Sequence, residues 1–156
     1  LLTGSNGMVG KNILDHNSAI NYNFLTPSSK DLNLLNYQDV KNYITIHQPD
    51  FIIHAAGKVG GIQANIKEPV SFLIDNIDMG RNIIMAAKSN NIKNLLNLSS
   101  SCMYPRNAEN PLSESLILKG ELEPIAPLSQ IKIISFKEKD EWELETKYNI
   151  GKKREL

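Results

Sequence analysis

Short apolar runs and longer segments with helical spacing alternate along the chain. The apolar runs predict buried strands, and apolar residues spaced three and four apart predict amphipathic helices between them. The predicted strands cover residues 1–3, 22–25, 51–56 and 94–99, and the predicted helices cover residues 8–16, 36–47 and 70–89. Asn36 is the expected N-cap of the second helix, because its side chain can accept a hydrogen bond from the first helical turn.

This alternation predicts an α/β fold of the Rossmann type, a doubly wound parallel sheet with right-handed crossovers. The run at 51–56 is continuously apolar, as expected where helices cover both faces of a parallel sheet. We expect the sheet to be incomplete. The chain opens on Leu1 and reaches its first glycine after three residues, whereas strands usually run about 5–6 residues.

Composition excludes several classes of function. The 17 Lys and Arg residues balance the 17 Asp and Glu residues, so no overall field favours nucleic acid or an anionic membrane. No apolar run approaches the roughly 20 residues of a membrane helix. Cys102 is the only cysteine, which excludes an internal disulfide and fits a reducing compartment. We therefore predict a cytoplasmic protein, and the histidine spacing predicts no metal site.

A glycine motif, G-x-x-G-x-x-G, follows the first predicted strand. Gly4 allows a tight turn, Gly7 lets the main chain approach a diphosphate, and Gly10 lets the helix pack closely on the sheet. The helix N-terminus offers free N–H groups to an anion. The alternative is a purely structural turn. The predicted dinucleotide-binding residues are Gly4, Ser5, Asn6, Gly7, Met8, Val9 and Gly10.

The segment after the second predicted strand contains Ser28, Ser29 and Lys30. An acidic residue here would pair with the ribose 2′-hydroxyl of NAD, whereas these side chains can donate to a 2′-phosphate. The segment therefore favours NADP over NAD, with Ser29 and Lys30 as cofactor-binding residues. Asp31 lies too late in the sequence to be the acidic residue that pairs with the ribose 2′-hydroxyl. The alternative is that Lys30 is a solvated surface residue.

Hydroxyl and thiol groups follow the last predicted strand, where open α/β sheets bind their ligands. The segment 98–105 reads LSSSCMYP. Its hydroxyls can hydrogen-bond a substrate carbonyl, and a thiol of lowered pKa can exchange protons. The alternative is a polar loop with a buried cysteine.

Taken together, these motifs resemble the GDP-L-fucose synthases, extended short-chain dehydrogenases/reductases of the NAD-dependent epimerase/dehydratase family. Besides the glycines, the resemblance rests on KDLNLL at 30–35, AAGKVGGI at 55–62, SSCMYP at 100–105 and LEP at 122–124. KVGGI and SSCxYP are more specific than the glycines, because generic sugar-nucleotide epimerases lack this combination. The resemblance covers residues 1–124 well and the remainder poorly.

The resemblance implies conversion of GDP-4-keto-6-deoxy-D-mannose to GDP-L-fucose, by epimerisation at C3 and C5 and hydride transfer from NADPH to C4. Ser100 would hold the C4 oxygen and Cys102 would act as an acid/base in epimerisation. Asn33 and Leu34 would lie near the adenine. The further residues implied are Ala55, Ala56, Leu98 and Ser99 for the cofactor, and Lys58, Val59, Gly60 and Ser101 for the substrate.

One departure from the family concerns its Tyr-x-x-x-Lys pair, in which the phenol donates a proton and the lysine binds the ribose. Lys132 falls near the lysine position, but Leu128 stands where the tyrosine is expected. Tyr148 and Lys152 have the right spacing but come too late in the chain. Loss of a general acid reduces rates by about 10²–10⁴-fold, so we predict little or no turnover.

We expect a fragment truncated at both ends, without the substrate domain. Residues 1–136 would form a partial NADP-binding domain, and residues 137–156, rich in Lys and Glu, a divergent helical or disordered tail. Two alternatives are another NAD(P)-dependent sugar-nucleotide epimerase or dehydratase, and a non-catalytic NADP-binding module. The expected partner is a GDP-sugar, and the resemblance suggests a homodimer formed through helices at 70–89 and 130–148.

Overall fold

The structure, a computed structural model, describes residues 1–99, 103–117 and 119–120. Three parallel strands form one sheet in the order β1 (Leu2–Thr3), β2 (Phe51–His54) and β3 (Asn94–Asn97). Leu2 is in register with Ile53, and Ile53 with Leu96. The predicted α/β class with a parallel sheet is confirmed. The predicted boundary at 136/137 and the tail lie outside the described residues.

In the described residues, four α-helices lie between these strands along the chain. They are α1 (Met8–Leu14), α2 (Tyr37–His47), α3 (Ile62–Lys67) and α4 (Pro69–Ser89). The Asn36 side chain accepts hydrogen bonds from the backbone N–H groups of Gln38 and Asp39, so α2 begins where the sequence predicted. The sequence did not predict α3, because a helix of 6 residues is too short to show a clear period.

The main core lies where α2 and α4 pack against each other and against the sheet. Val40 and Ile44 of α2, Ile52 of β2 and Ile83 of α4 are all 0% exposed. These four side chains belong to one buried cluster. Close packing of this kind fixes the relative positions of β2 and α4, which border the site described below.

The segment predicted as a strand at residues 22–25 is not one. It makes a single backbone hydrogen bond to the sheet, from the Leu2 N–H to the Leu25 carbonyl at 2.9 Å. Because β1 contains only 2 residues, it offers too few positions for a repeated ladder with this segment.

The first helix is shorter than predicted, since α1 ends at Leu14 instead of near residue 16. A 3-10 helix at Asn17–Asn21 follows, and the His16 side chain accepts a hydrogen bond from the Ser18 N–H at its start.

In the part of the chain that the structure describes, no helix combines the length and apolarity needed to cross a bilayer.

Candidate functional site

The glycine motif forms a tight turn between β1 and α1. Gly4 has a φ of +72°, which residues with a Cβ rarely adopt, and the Gly7 N–H donates to the Gly4 carbonyl at 3.0 Å. A Cβ on Gly4 would lie 2.6 Å from the backbone nitrogen of Ala56. One on Gly10 would lie 2.5 Å from the Ser5 Cα and overlap the Gly4 carbonyl. Both positions therefore require glycine, because the turn is packed on β2 on one side and on α1 on the other.

A buried hydrogen-bond pair lies beneath this turn. Thr3 Oγ1 and His54 Nδ1, at the carboxyl ends of β1 and β2, are 2.7 Å apart, and both residues are buried. The Ala56 N–H also approaches Thr3 Oγ1, at 3.4 Å. The Thr3 hydroxyl thus links the first strand to the segment that carries Ala55 and Ala56, and it does so directly below Gly4.

A cleft of about 420 Å³ opens at this edge of the sheet. Its volume falls in the range of small-molecule sites, about 300–1,000 Å³. The predicted cofactor residues that line it are Gly4, Ser5, Asn6, Ser29, Asn33, Leu34 and Ala56. Lys58, predicted to face the substrate, also lines it. The cleft thus brings together predicted residues from three separate parts of the sequence.

The other predicted site residues do not line this cleft. Met8 and Val9 are exposed on the first turn of α1, and Gly10 is buried behind the glycine turn. Lys30 is exposed. The other predicted site residues that the structure describes but that do not line the cleft are Gly7, Ala55, Val59, Gly60, Leu98 and Ser99. Ser100, Ser101, Cys102 and Lys132 lie outside the described residues, as does Leu128.

Leu98 and Ser99 leave the sheet beside the cleft. The Leu98 N–H donates to the His54 carbonyl at 3.2 Å, which extends the pairing of β3 with β2 by one bond. The Ser99 hydroxyl donates to the Met103 sulfur at 2.8 Å. These two bonds fix the start of the SSSC segment at the same edge of the sheet as the glycine turn.

Ser28 does not offer a free hydroxyl, contrary to one part of the phosphate prediction. Its Oγ donates to the Asp31 carboxylate at 2.6 Å, and its backbone N–H donates to the same oxygen at 3.0 Å. These two hydrogen bonds from Ser28 lower the pKa of Asp31. Asp31 thus stabilises the turn that presents Ser29 and Lys30, a role that the sequence spacing did not reveal.

Lys58 is held by α4. Its Nζ forms an ion pair with Asp75 at 2.6 Å, hydrogen-bonds Ser71 and lies 5.4 Å from the centre of the Phe72 ring. The lysine and aspartate side chains are each about one third exposed. Asp75 and Met79 also line the cleft, and sequence reasoning missed both. The helical period placed them on α4, but it could not show which face meets the loop after β2.

Among the described residues, no group of three or more His, Cys, Asp or Glu side chains could hold a metal ion.

Known proteins share the sequence of this chain over most of its length. The model of the NAD dependent epimerase/dehydratase family matches residues 1–150. GDP-L-colitose synthase from Yersinia pseudotuberculosis is 50% identical over 156 residues, covering 96% of this chain and 51% of that protein. GDP-L-fucose synthase from Azorhizobium caulinodans is 46% identical over 123 residues, covering 79% of this chain and 39% of that protein. The resemblance drawn from the motifs is confirmed.

A solved structure has a fold similar to that of this chain. MlghC, a GDP-mannoheptose C4 reductase from Campylobacter jejuni with NADP bound, has a TM-score of 0.79 and 28% identity, covering 86% of this chain and 43% of that one. The chain therefore spans about half, or less, of the length of the proteins it matches.

Proposed function

Because this chain belongs to the NAD dependent epimerase/dehydratase family, we propose that it provides the NADP-binding part of a GDP-sugar epimerase/reductase. Relatives named for synthesis of GDP-linked sugars support the substrate class, and the NADP-bound reductase supports the cofactor.

The observation that best supports this proposal is that the glycine turn lines the cleft. Gly4 presents bare main chain there, and a side chain on Gly4 would overlap Ala55 and Ala56. This cradle suits a diphosphate, which needs close approach to backbone N–H groups. Asn33 and Leu34 of the cleft wall would face the adenine, and Ser29 and Lys30 the 2′-phosphate. When bound, NADPH supplies the hydride that reduces a sugar carbonyl.

For the sugar, we propose GDP-4-keto-6-deoxy-D-mannose, converted to GDP-L-fucose. Ser100 would then hold the carbonyl oxygen, Cys102 would move protons during epimerisation, and Lys58 to Gly60 would lie on the substrate side. A 4-keto group acidifies the neighbouring C–H bonds, and the same carbonyl later accepts the hydride. One thiol and one hydroxyl near that carbonyl can therefore serve both steps.

A second candidate is the corresponding colitose enzyme. The identity to the GDP-L-colitose synthase is 50% and extends over 96% of this chain, more than for the fucose enzyme. L-Colitose is L-fucose without the 3-hydroxyl group. The two candidates therefore differ in the substrate, with or without oxygen at C3, and in whether C3 is epimerised.

We propose low turnover for this chain by itself, since Leu128 cannot donate the proton that the family's tyrosine supplies. We also propose that the protein works in the cytoplasm as a homodimer, in keeping with the single cysteine and with the family resemblance.

Cofactor binding is tested by titrating the chain with NADPH and with NADH while following the fluorescence of the nicotinamide. We expect saturable binding of both, tighter for NADPH. Absence of binding to either by folded protein would refute the proposal. Prolonged incubation of the protein at high concentration with NADPH and the 3-hydroxy or 3-deoxy keto sugar, followed by chromatography of the products, distinguishes the fucose and colitose candidates even at low turnover. Rapid turnover would contradict the role assigned to Leu128.

A further inference from the structure

The side chain of Asn76, on α4, is bonded to the backbone of Lys58. Its Oδ1 accepts from the Lys58 N–H at 2.9 Å, and its Nδ2 donates to the Lys58 carbonyl at 2.9 Å. Nδ2 also donates to the Phe72 carbonyl of its own helix at 2.7 Å. A neighbouring strand would satisfy the same pair of backbone groups in a sheet. Residues 55–61 contain no helix or strand, so Asn76 gives Lys58 the fixed position that regular structure does not.

The side chain of Lys58 is bonded to the same helix. Its ammonium group donates hydrogen bonds to the Ser71 hydroxyl and the Asp75 carboxylate, and the Phe72 ring lies beside it. A Cβ on Gly60 would lie 2.9 Å from the Phe72 ring, so the loop rests closely on this helix. Both the backbone and the side chain of Lys58 are therefore positioned by one surface of α4.

A second asparagine of α4 is bonded to another segment that lines the cleft. Asn82 is 1% exposed, and its Nδ2 donates to the Leu34 carbonyl at 2.9 Å. Leu34 lines the cleft together with Asn33 and Leu35. A buried amide that loses its acceptor is costly, so this bond fixes the segment after residue 32 relative to α4.

We infer that Asn76 and Asn82 are positioning residues for two different parts of the bound ligands. Asn82 fixes the wall that meets the adenine half of NADP, and Asn76 fixes the Lys58 loop on the substrate side. The assignment of ligand halves to these walls rests on the proposed function. The assignment of each asparagine to its own loop rests on the hydrogen bonds alone, so the two can fail separately.

The test compares Asn82→Ala and Asn76→Ala in the full chain, with Asn90→Ala as the matched control. Asn90 lies at the end of the same helix, donates to the Ala86 carbonyl and accepts from the Thr45 hydroxyl, and it does not line the cleft. Calorimetry with adenosine 2′,5′-bisphosphate, the adenine half of NADP, measures one wall. We expect Asn82→Ala to weaken its binding roughly 3- to 10-fold, the effect of one hydrogen bond, with the other two variants unchanged.

Amide hydrogen exchange measures both loops without any ligand. Asn76→Ala should speed exchange of the Lys58 amide by about tenfold, and Asn82→Ala should do the same for the Leu35 and Asn36 amides. Each variant should leave the other loop as in the parent chain. Should Asn82→Ala fail to fold, Asn82→Leu replaces it, because leucine fills the buried space better than alanine and cannot donate to the Leu34 carbonyl.

Equal acceleration in both loops by either variant would overturn the positioning assignment, since it would show general loosening of α4. Loop-specific exchange with equal bisphosphate affinity in all variants would overturn the link to the adenine half. If the parent chain binds neither NADPH nor the bisphosphate, the proposed function fails, and hydrogen exchange still decides which loop each asparagine holds.

Discussion

Gly4 lies so close to Ala56 that a Cβ on the glycine would be 2.6 Å from the alanine's backbone nitrogen. The turn after β1 therefore packs directly against the end of β2, main chain against main chain. Gly4 and Ala56 both line the cleft, and their close contact exists only because residue 4 has no side chain.

Replacing Gly4 by alanine should destabilise the chain by about 2–5 kcal/mol. The new methyl group would overlap the Ala55–Ala56 backbone, and alanine would be strained at a φ of +72°. Urea denaturation measures the effect. Gly61→Ala is the control, because apart from its chain neighbours no atom lies within 4 Å of a Cβ there. As Gly61 is the N-cap of α3, the substitution should change the free energy of unfolding by less than about 1 kcal/mol. Equal effects at the two glycines would contradict the packing argument.

Thr3→Val should destabilise the chain by about 1–3 kcal/mol. Valine keeps the shape of threonine but loses the hydroxyl that hydrogen-bonds His54 and accepts from the Ala56 N–H, both in buried surroundings. Thr3→Ser retains the hydroxyl and should lose clearly less. Thermal denaturation of the three proteins gives the comparison, and a valine variant as stable as the parent would show that the hydroxyl is dispensable.

The carboxyl group of Asp31 should titrate below its ordinary pKa. Two hydrogen bonds from Ser28 favour the charged form, so the folded state has the lower pKa. The resulting stabilisation is present above the unfolded pKa and is lost as the pH falls through the folded pKa. NMR titration of the side-chain carboxyl measures the value. Ser28→Ala should raise the pKa toward the ordinary one; no change on this substitution would exclude the Ser28 hydroxyl as the main cause.

Lys30→Ala should weaken NADPH binding by about two- to fivefold and leave NADH binding unchanged. An exposed ion pair contributes up to about 1 kcal/mol, and only NADPH carries the 2′-phosphate. The preference for NADPH should also fall with added salt, because exposed charges are screened. Lys88→Ala, an exposed lysine at the end of α4, is the control for net charge. Equal loss of affinity for both cofactors would place Lys30 away from the 2′-phosphate.

The site was predictable from the sequence only in part. The glycine spacing pointed to the turn at Gly4, and the serines after residue 27 pointed to a wall of the cleft, because each is a local signal a few residues long. Asp31, Asp75 and Asn82 had no such signal. Each acts through a hydrogen bond, an ion pair or a cleft face that depends on where its element packs.

The alternation of β1, α1, α2, β2, α4 and β3 was predictable from the sequence, because hydrophobic period and glycine spacing are properties of neighbouring residues. The start of α2 at Tyr37 likewise follows from its Asn36 cap. Only the tertiary structure decided that residues 22–25 make one bond to the sheet and that Lys58 is bound to α4. These features depend on contacts between residues far apart in the chain, and such contacts form only after the core between α2, α4 and the sheet has set the distances between them.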